Sequence, residues 1–401
     1  MRYAIVGAGF SGMLAAYLLE KKGVDVTVYE KQEYIGGHCR TIVSKDHYID
    51  LGTVFCFSKH IKELLIELDV KYTERVTYRN FLDEDLCKVE HVSRENVLLL
   101  IDELEKLRTI IDSSFPSLKK TNYSHIDKRL MISLYQFLKN NDLNTLIEVV
   151  GPHLSSFGFG DIHQLPAYYG LHIFSFDTIN SFIKGQKLIF INKGFSEIIY
   201  KLSKNISDIR YNIEVKNIEN VGGKVKVETE YGHDLYDKVI VTTKLPKNVI
   251  KDELYNRLMK KIDTNPYMVC AYDVENKNIV TTYFKANLGE KEKIQFFHTF
   301  KQSNKTILVA YAYGYVNKEL VTSITKDIEA SGIKVKHLIT AKQWFIFPHL
   351  KINNLTEDFY REILERQKES NICLIGSLVS KPMISNLYIS IKEFLDSINL
   401  D

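Results

Sequence analysis

Apolar residues crowd the first thirty positions in three short groups. Residues 3–6 form an unbroken apolar run, residues 13–22 place Leu14, Leu18 and Leu19 along one helical face, and residues 24–29 alternate. Run, helical stripe and alternating run predict a strand, a helix and a second strand, which is a βαβ unit. Farther on, helical spacing predicts helices over 57–69, 94–113, 126–140 and 192–205, with an amphipathic closing helix over 389–398. Alternation or short apolar runs predict strands around 76–82, 238–243, 307–313, 343–347 and 371–375. Residues 213–228 read as a hairpin turned by Gly222 and Gly223. Between Gly151 and Gly185 aromatics and glycines crowd together with little polar alternation, which is the pattern of a cavity wall rather than an outer surface.

Composition narrows the class. A chain of 401 residues that is 45 % hydrophobic is long enough for two cores. Lys and Arg number 53 against 50 Asp and Glu, and the basic residues are interspersed with acidic ones, so no nucleic-acid partner is expected. Five cysteines without a Cys-x-x-Cys pair argue against a disulfide framework and against a zinc knuckle, and fit a reducing cytoplasm. The chain enters an apolar run within three residues of Met1 without the pattern of a signal peptide. No apolar run approaches the roughly 18 residues of a membrane span, so membrane contact is expected to be peripheral at most. The histidines show no metal-ligand spacing; no metal is expected, and they read as structural.

The glycines carry the first chemical signal. Gly7, Gly9 and Gly12 form Gly-x-Gly-x-x-Gly where the first strand meets the helix. A tight turn, approach of backbone to a pyrophosphate and close helix packing each require a residue without a side chain there. The helix start, with Phe10 and Ser11, then offers free N–H groups to the phosphates. Glu30, followed by Lys31, ends the second strand about twenty residues on, where a carboxylate can accept hydrogen bonds from a ribose. Strand, helix, strand and terminal acid together indicate a dinucleotide site.

The next segment of the chain selects FAD. Gly36-Gly37-His38-Cys39-Arg40-Thr41 resembles the Gly-Gly-Arg-x-x-Thr segment of the flavin amine oxidase, phytoene desaturase and protoporphyrinogen oxidase superfamily, with Arg40 displaced by two positions. Ile49-Asp50-Leu51-Gly52 is similar to the segment that passes the flavin in that superfamily. Val215 stands where the family places a valine whose backbone meets the adenine; a plain strand position also accounts for it. Gly376-Ser377 stands where the family has a glycine and an acid that binds the cofactor. A hydroxyl is a poorer acceptor than a carboxylate, so either the site tolerates the change or its flavin chemistry is altered. The glycine-rich turn found next in the family is replaced by Lys381-Pro382-Met383-Ile384-Ser385-Asn386, with Ser385 as the expected cap. The resemblance implies an α/β fold with a Rossmann-type FAD-binding domain (1–75, 186–245 and 355–401) interleaved with an α+β substrate domain (76–185 and 246–354).

Within that superfamily the chain is most similar to the bacterial polyunsaturated fatty acid isomerases. The segments are 79–85 (Arg-Asn-Phe-Leu-Asp-Glu-Asp), Phe157-Gly158-Phe159-Gly160, Leu165-Pro166-Ala167-Tyr168, 181–185 and Trp344-Phe345-Ile346-Phe347-Pro348-His349. The resemblance implies that Arg79 and Phe182 close a tunnel over a fatty acid carboxylate, and that Phe157 lies beside the reacting diene. Physical need agrees, since a carboxylate stripped of water without a partner costs several kcal/mol, of order 3–5. A ring face can also stabilise developing positive charge. The implied reaction takes a hydride from the substrate onto FAD and returns it elsewhere, so no acid–base constellation is required. A net oxidase or desaturase, and a degenerate flavin- or lipid-binding protein, stay open alternatives. Residues 97–111 align Val97, Ile101, Leu104, Leu107 and Ile111, a stripe that suits core packing or a dip into a membrane.

Overall fold

A computed structural model of the protein describes residues 1–398, apart from Lys45, Asp46, Ser58, Lys59, Arg94, Lys184, Lys277, Ser303 and Asn304 and apart from the side chains of Phe182 and Gln302. Arg94 and Lys184, which fall in the expected helix and in one similar segment, thus lie outside the described residues.

The first three predicted elements form as a strand Arg2–Val6, a helix Phe10–Lys21 and a strand Asp25–Tyr29. They build a parallel sheet of five strands in the order Asp208–Arg210, Asp25–Tyr29, Arg2–Val6, Lys238–Val241, Ile372–Leu374. Side chains alternate faces along each strand, and both faces are covered. Tyr3 and Ile5 pack with Leu14 and Leu19 of the helix and with Leu387 and Ile391 of the closing helix Ile384–Ser397. Ala4 and Val6 face the other way, onto Val225, Val227 and Tyr236 of a three-stranded antiparallel sheet. Each fully buried aliphatic side chain of this kind contributes about 1.5–3 kcal/mol.

The second main sheet has seven strands in the order Val335–Leu350, Ile262–Val274, Lys305–Tyr313, Ile294–Gln302, Thr281–Phe284, Arg79–Leu82, Lys88–Val89. One face packs through Met268, Cys270, Phe297 and Leu308 on Leu320, Ile324 and Ile328 of the helix Lys318–Ala330. The other face is aromatic and turns toward the first sheet. The chain therefore has the expected α/β architecture, a Rossmann-type parallel nucleotide-binding sheet interleaved with an α+β part.

Several boundaries differ from expectation. Residues 126–140 split into a 3₁₀ turn Lys128–Leu130 and a helix Leu134–Asn140, because the Ser133 hydroxyl caps the second piece by accepting from the Gln136 N–H. The helix expected over 57–69 spans Ile61–Glu67, and Phe57 belongs instead to a strand opposite Leu188. The helix expected over 192–205 spans Ser196–Ser203. The hairpin of Gly222 and Gly223 turns with φ of 56° and 81°, as a tight hairpin requires, but pairs Asn217–Val221 with Lys224–Thr229 rather than starting at 213. The closing helix starts at Ile384, so Met383 is its N-cap residue and Ser385 lies inside it; the capping role expected of Ser385 is not what forms. Residues 151–185 are largely helical, in Asn144–Ser156, Ala167–Ile173 and Phe176–Ile183. In the helix Asn96–Ser114 the buried stripe is Leu100, Leu104, Leu107 and Ile111, while Val97 and Ile101 face outward. Among the described residues no helix is long and apolar enough to cross a membrane.

Asp50 shows how tightly the segment beside the nucleotide sheet is tied in. Its buried carboxylate accepts from the Thr41 hydroxyl at 2.6 Å and from the Phe195 N–H at 2.8 Å. Burial pushes its pKa up to about 7, and those two hydrogen bonds hold it back from rising further. The folded chain thus binds this proton more tightly than the unfolded chain, whose Asp titrates at about 3.9. The associated stability is full below about pH 4 and is lost as pH rises through 7. Denaturation midpoints should accordingly show Asp50→Asn gaining on the wild-type protein between pH 5 and pH 8; a difference that stays flat with pH would contradict the raised pKa.

Candidate cofactor and substrate site

A continuous cavity of about 820 Å³ runs from the ends of the parallel strands to the aromatic face of the seven-stranded sheet. Its lining includes most of the expected cofactor residues: Gly7, Gly9, Phe10, Ser11, Glu30, Lys31, Gly36, Gly37, His38, Val215 and Ser377. Gly12 and Gly376 stand directly behind that wall. A Cβ on Gly12 would collide with the Gly7 carbonyl oxygen, so its absence is what lets the helix seat on the strand. A Cβ on Gly376, where φ is 74°, would come 2.6 Å from Ser11 Oγ. The last strand thereby closes on the first helix, and Ser377 reaches the cavity from that turn.

The cleft fits an FAD. Backbone meets backbone where Gly9 bridges Gly36, with the Gly36 N–H donating to Ala8 O at 2.7 Å. A Cβ on Gly9 would meet no protein atom closer than Gly37 Cα at 3.9 Å, so its bareness leaves open space in front of the helix start. The first turn of that helix carries no acidic residue, which leaves its N–H groups and dipole to an anion. Glu30 is held by the N–H groups of Ala8 and Gln32, each at 2.9 Å, and its remaining lone pairs can serve a ribose. Arg40 is not in the lining; its guanidinium lies 4.0 Å above the Tyr34 ring. His38 lines the cavity, and desolvation by the protein around it lowers its pKa to about 4.

The far end of the cavity is a chamber walled by rings. Phe81, Tyr283, Phe296 and Tyr311 stand on four adjacent strands and stack in turn, with centroids 5.0, 5.3 and 4.6 Å apart and interplanar angles of 19°, 17° and 8°. Strand register puts them there: Phe81 pairs with Tyr283, Tyr283 with Phe296 and Phe296 with Tyr311. Phe157, at the C-terminal end of the helix Asn144–Ser156, lies 5.9 Å from Phe296 and 5.7 Å from Phe55. Arg79 lines the same chamber two residues before Phe81. Phe182 falls in the helix Phe176–Ile183, and its side chain lies outside the described residues.

Charge is unevenly placed. The carboxylates in the lining are Glu30 and Glu214, both at the nucleotide end. In and behind the chamber wall, burial and then neighbouring positive charge, that of Arg79 included, depress the pKa values of His91, to about 4, and His298, to about 3. His153 is depressed in the same way. The imidazoles stay neutral beside the Arg79 guanidinium, so the chamber suits an anion with an apolar body.

Sequence reading missed Phe55, Thr281, Tyr283, Phe296, His298 and Tyr311, all of which line the cavity. Of these only Tyr311 falls in a stretch, 307–313, that the sequence pattern marks as a strand. Nothing in that pattern says which face meets a cavity rather than a core.

Comparison with known proteins agrees with this geometry. The family model for flavin containing amine oxidoreductases matches residues 10–333, and the chain belongs to that family. The cofactor is therefore a flavin, and the dinucleotide cleft makes it FAD. The L-amino-acid oxidase of Crotalus adamanteus is 43 % identical over 75 residues, 18 % of this chain and 14 % of that protein. The 1-hydroxycarotenoid 3,4-desaturase of a Flavobacterium is 25 % identical over 295 residues, 62 % of this chain and 60 % of that one. The chain thus spans less than two thirds of the length of these curated relatives. Among solved structures, a CLA-producing fatty acid isomerase from P. acnes matches with a TM-score of 0.91 at 21 % identity, over 100 % of this chain and 99 % of the other. A putative protoporphyrinogen oxidase from Exiguobacterium matches with a TM-score of 0.71 at 16 % identity, over 99 % and 98 %.

Two glycines separate folding from cofactor binding. Gly9→Ala, free of protein clashes, should leave the melting temperature of the flavin-free protein nearly unchanged while sharply reducing the flavin bound per chain. Gly12→Ala overpacks the helix–strand contact at a cost of about 1–3 kcal/mol and should lower the melting temperature itself. Full FAD occupancy in Gly9→Ala would place the pyrophosphate elsewhere.

Proposed function

We propose that the protein is an FAD-dependent double-bond isomerase whose substrate is a long-chain unsaturated fatty acid or a similar apolar acid. The observation that carries the reading is the continuity of the nucleotide cleft with an aromatic chamber whose charged group is Arg79. Likeness over the whole chain to the P. acnes isomerase supports it. The two main sheets divide the work: the segments around the parallel sheet hold the cofactor, and the seven-stranded sheet with its helices holds the substrate.

The chemistry that bound FAD supplies is acceptance and return of a hydride, which lets a double bond move without net oxidation. Gly7, Gly9, Gly36 and Gly37 admit the pyrophosphate, Glu30 the ribose, and Val215 borders the adenine. Arg79 neutralises the substrate carboxylate, and the family resemblance gives Phe182 the role of its aromatic partner. Phe296 and Tyr283, each stacked between two neighbouring rings, exclude water, and Phe157 turns a ring face toward carbon that gains positive character. Amine oxidation draws no such support, because the lining carboxylates are remote from the chamber and its charge is positive.

Anaerobic incubation of the FAD-loaded protein with linoleate should raise the ultraviolet absorbance of a conjugated diene, without hydrogen peroxide once oxygen is admitted. Silence with every polyunsaturated acid would sink the proposal. Phe157→Leu should lower kcat roughly two- to thirtyfold, the equivalent of about 0.5–2 kcal/mol of ring–cation stabilisation, with little change in KM.

A further inference from the structure

The polar groups of the chamber fall in one row. Arg79 and Thr281 are register partners on adjacent strands, and the Thr281 hydroxyl lies 2.8 Å from Nδ1 of His298 on the next strand. All three line the cavity, one pleat away from the stacked rings. His298 is only 7 % exposed, stacked on Phe190 at 5.8 Å and 11° with the edge of Phe300 beside it. Its Nε2 is buried, and among the described residues nothing reaches it with a hydrogen bond. Thr77 Oγ1, in the same lining, is in the same condition. A buried polar atom left in this state costs about 1–3 kcal/mol, which a ligand group can recover.

We infer that Arg79, Thr281 and His298 form a composite carboxylate site in which Arg79 supplies the charge and the His298 Nε2–H donates to a carboxylate oxygen, while Thr281 fixes that tautomer. The inference rests on the proposed fatty acid reading and extends it by naming a second headgroup donor. Burial and the positive charges of Arg75 and Arg79 keep the imidazole neutral, so it carries one N–H and one bare nitrogen. When the Thr281 hydroxyl donates to Nδ1, the proton resides on Nε2. An N–H beside an arginine calls for an oxyanion, and a bond to an ionised acceptor is roughly twice as strong as one to a neutral ester. His298 thus adds direction and selectivity for the free acid without adding a second charge to desolvate.

Oleate and methyl oleate are suitable probes, since neither has a carbon between two double bonds to be acted on. Each is titrated into the FAD-loaded protein and followed through the flavin absorbance. His298→Phe keeps an aromatic ring at the site and should bind oleate at least about tenfold more weakly than wild type, with methyl oleate nearly unaffected. His298→Gln, which restores an N–H donor, should recover part of the loss. Equal weakening of acid and ester, or unchanged oleate binding in His298→Phe when the wild type binds oleate, would overturn the role of His298. A wild-type protein that binds no long-chain acid would overturn the proposed function, and this inference with it.

Discussion

Free N–H groups at a helix start attract an anion only if no side chain stands in front of them and the helix is braced so that they converge. Both conditions are met here by backbone touching backbone. Gly12 against the Gly7 carbonyl seats the helix on its strand, and Gly9 against Gly36 and Gly37 keeps the space ahead of it bare. Gly376 against Ser11 brings the last strand, and Ser377 with it, to the same point. The beginning and end of the chain thus meet at one cleft.

The second constraint is electrostatic. An apolar chamber that admits a charged headgroup must neutralise it locally, because unpaired charge in such a place is costly. On the proposed reading Arg79 does so, and the histidines around it do not compete, since burial beside a guanidinium removes their charge. Neutral imidazoles can then pack as rings: His153 stacks with Phe157 at 5.9 Å and 18°, so a titratable side chain serves as part of the apolar wall.

How much of the molecule was legible in the sequence depends on how local each signal is. Gly7, Gly9, Gly12 and Glu30 act within one βαβ unit, so spacing alone exposes them. Gly36, Gly37 and Gly376 need a family resemblance, because their partners, Gly9 and Ser11, lie elsewhere in the chain. The ring stack was not legible at all: Phe81, Tyr283, Phe296 and Tyr311 come from four strands whose pairing only the tertiary fold decides. The strand Val335–Leu350 was visible only in part, since its outer stretch is half exposed and lacks a clean alternation. Ser385 looked like a cap because hydroxyls favour helix starts, but the chain enters the helix earlier and buries it.

Sheet geometry also sets a length scale. From Arg79 to Phe296 is two strands across and two residues along, which at ordinary spacings of about 4.8 Å between strands and about 3.4 Å per residue comes to roughly 12 Å. Phe157 lies a further ring away, over Phe296. On the proposed reading, a headgroup held in the polar row therefore places the carbons beside Phe157 far from the carboxylate, in the middle of a long chain. A short acid anchored at Arg79 would leave that end of the chamber empty. On that reading the same two rows, one polar and one aromatic on a single sheet face, select for charge at one end and for length at the other, and strand register rather than any loop fixes the distance between them.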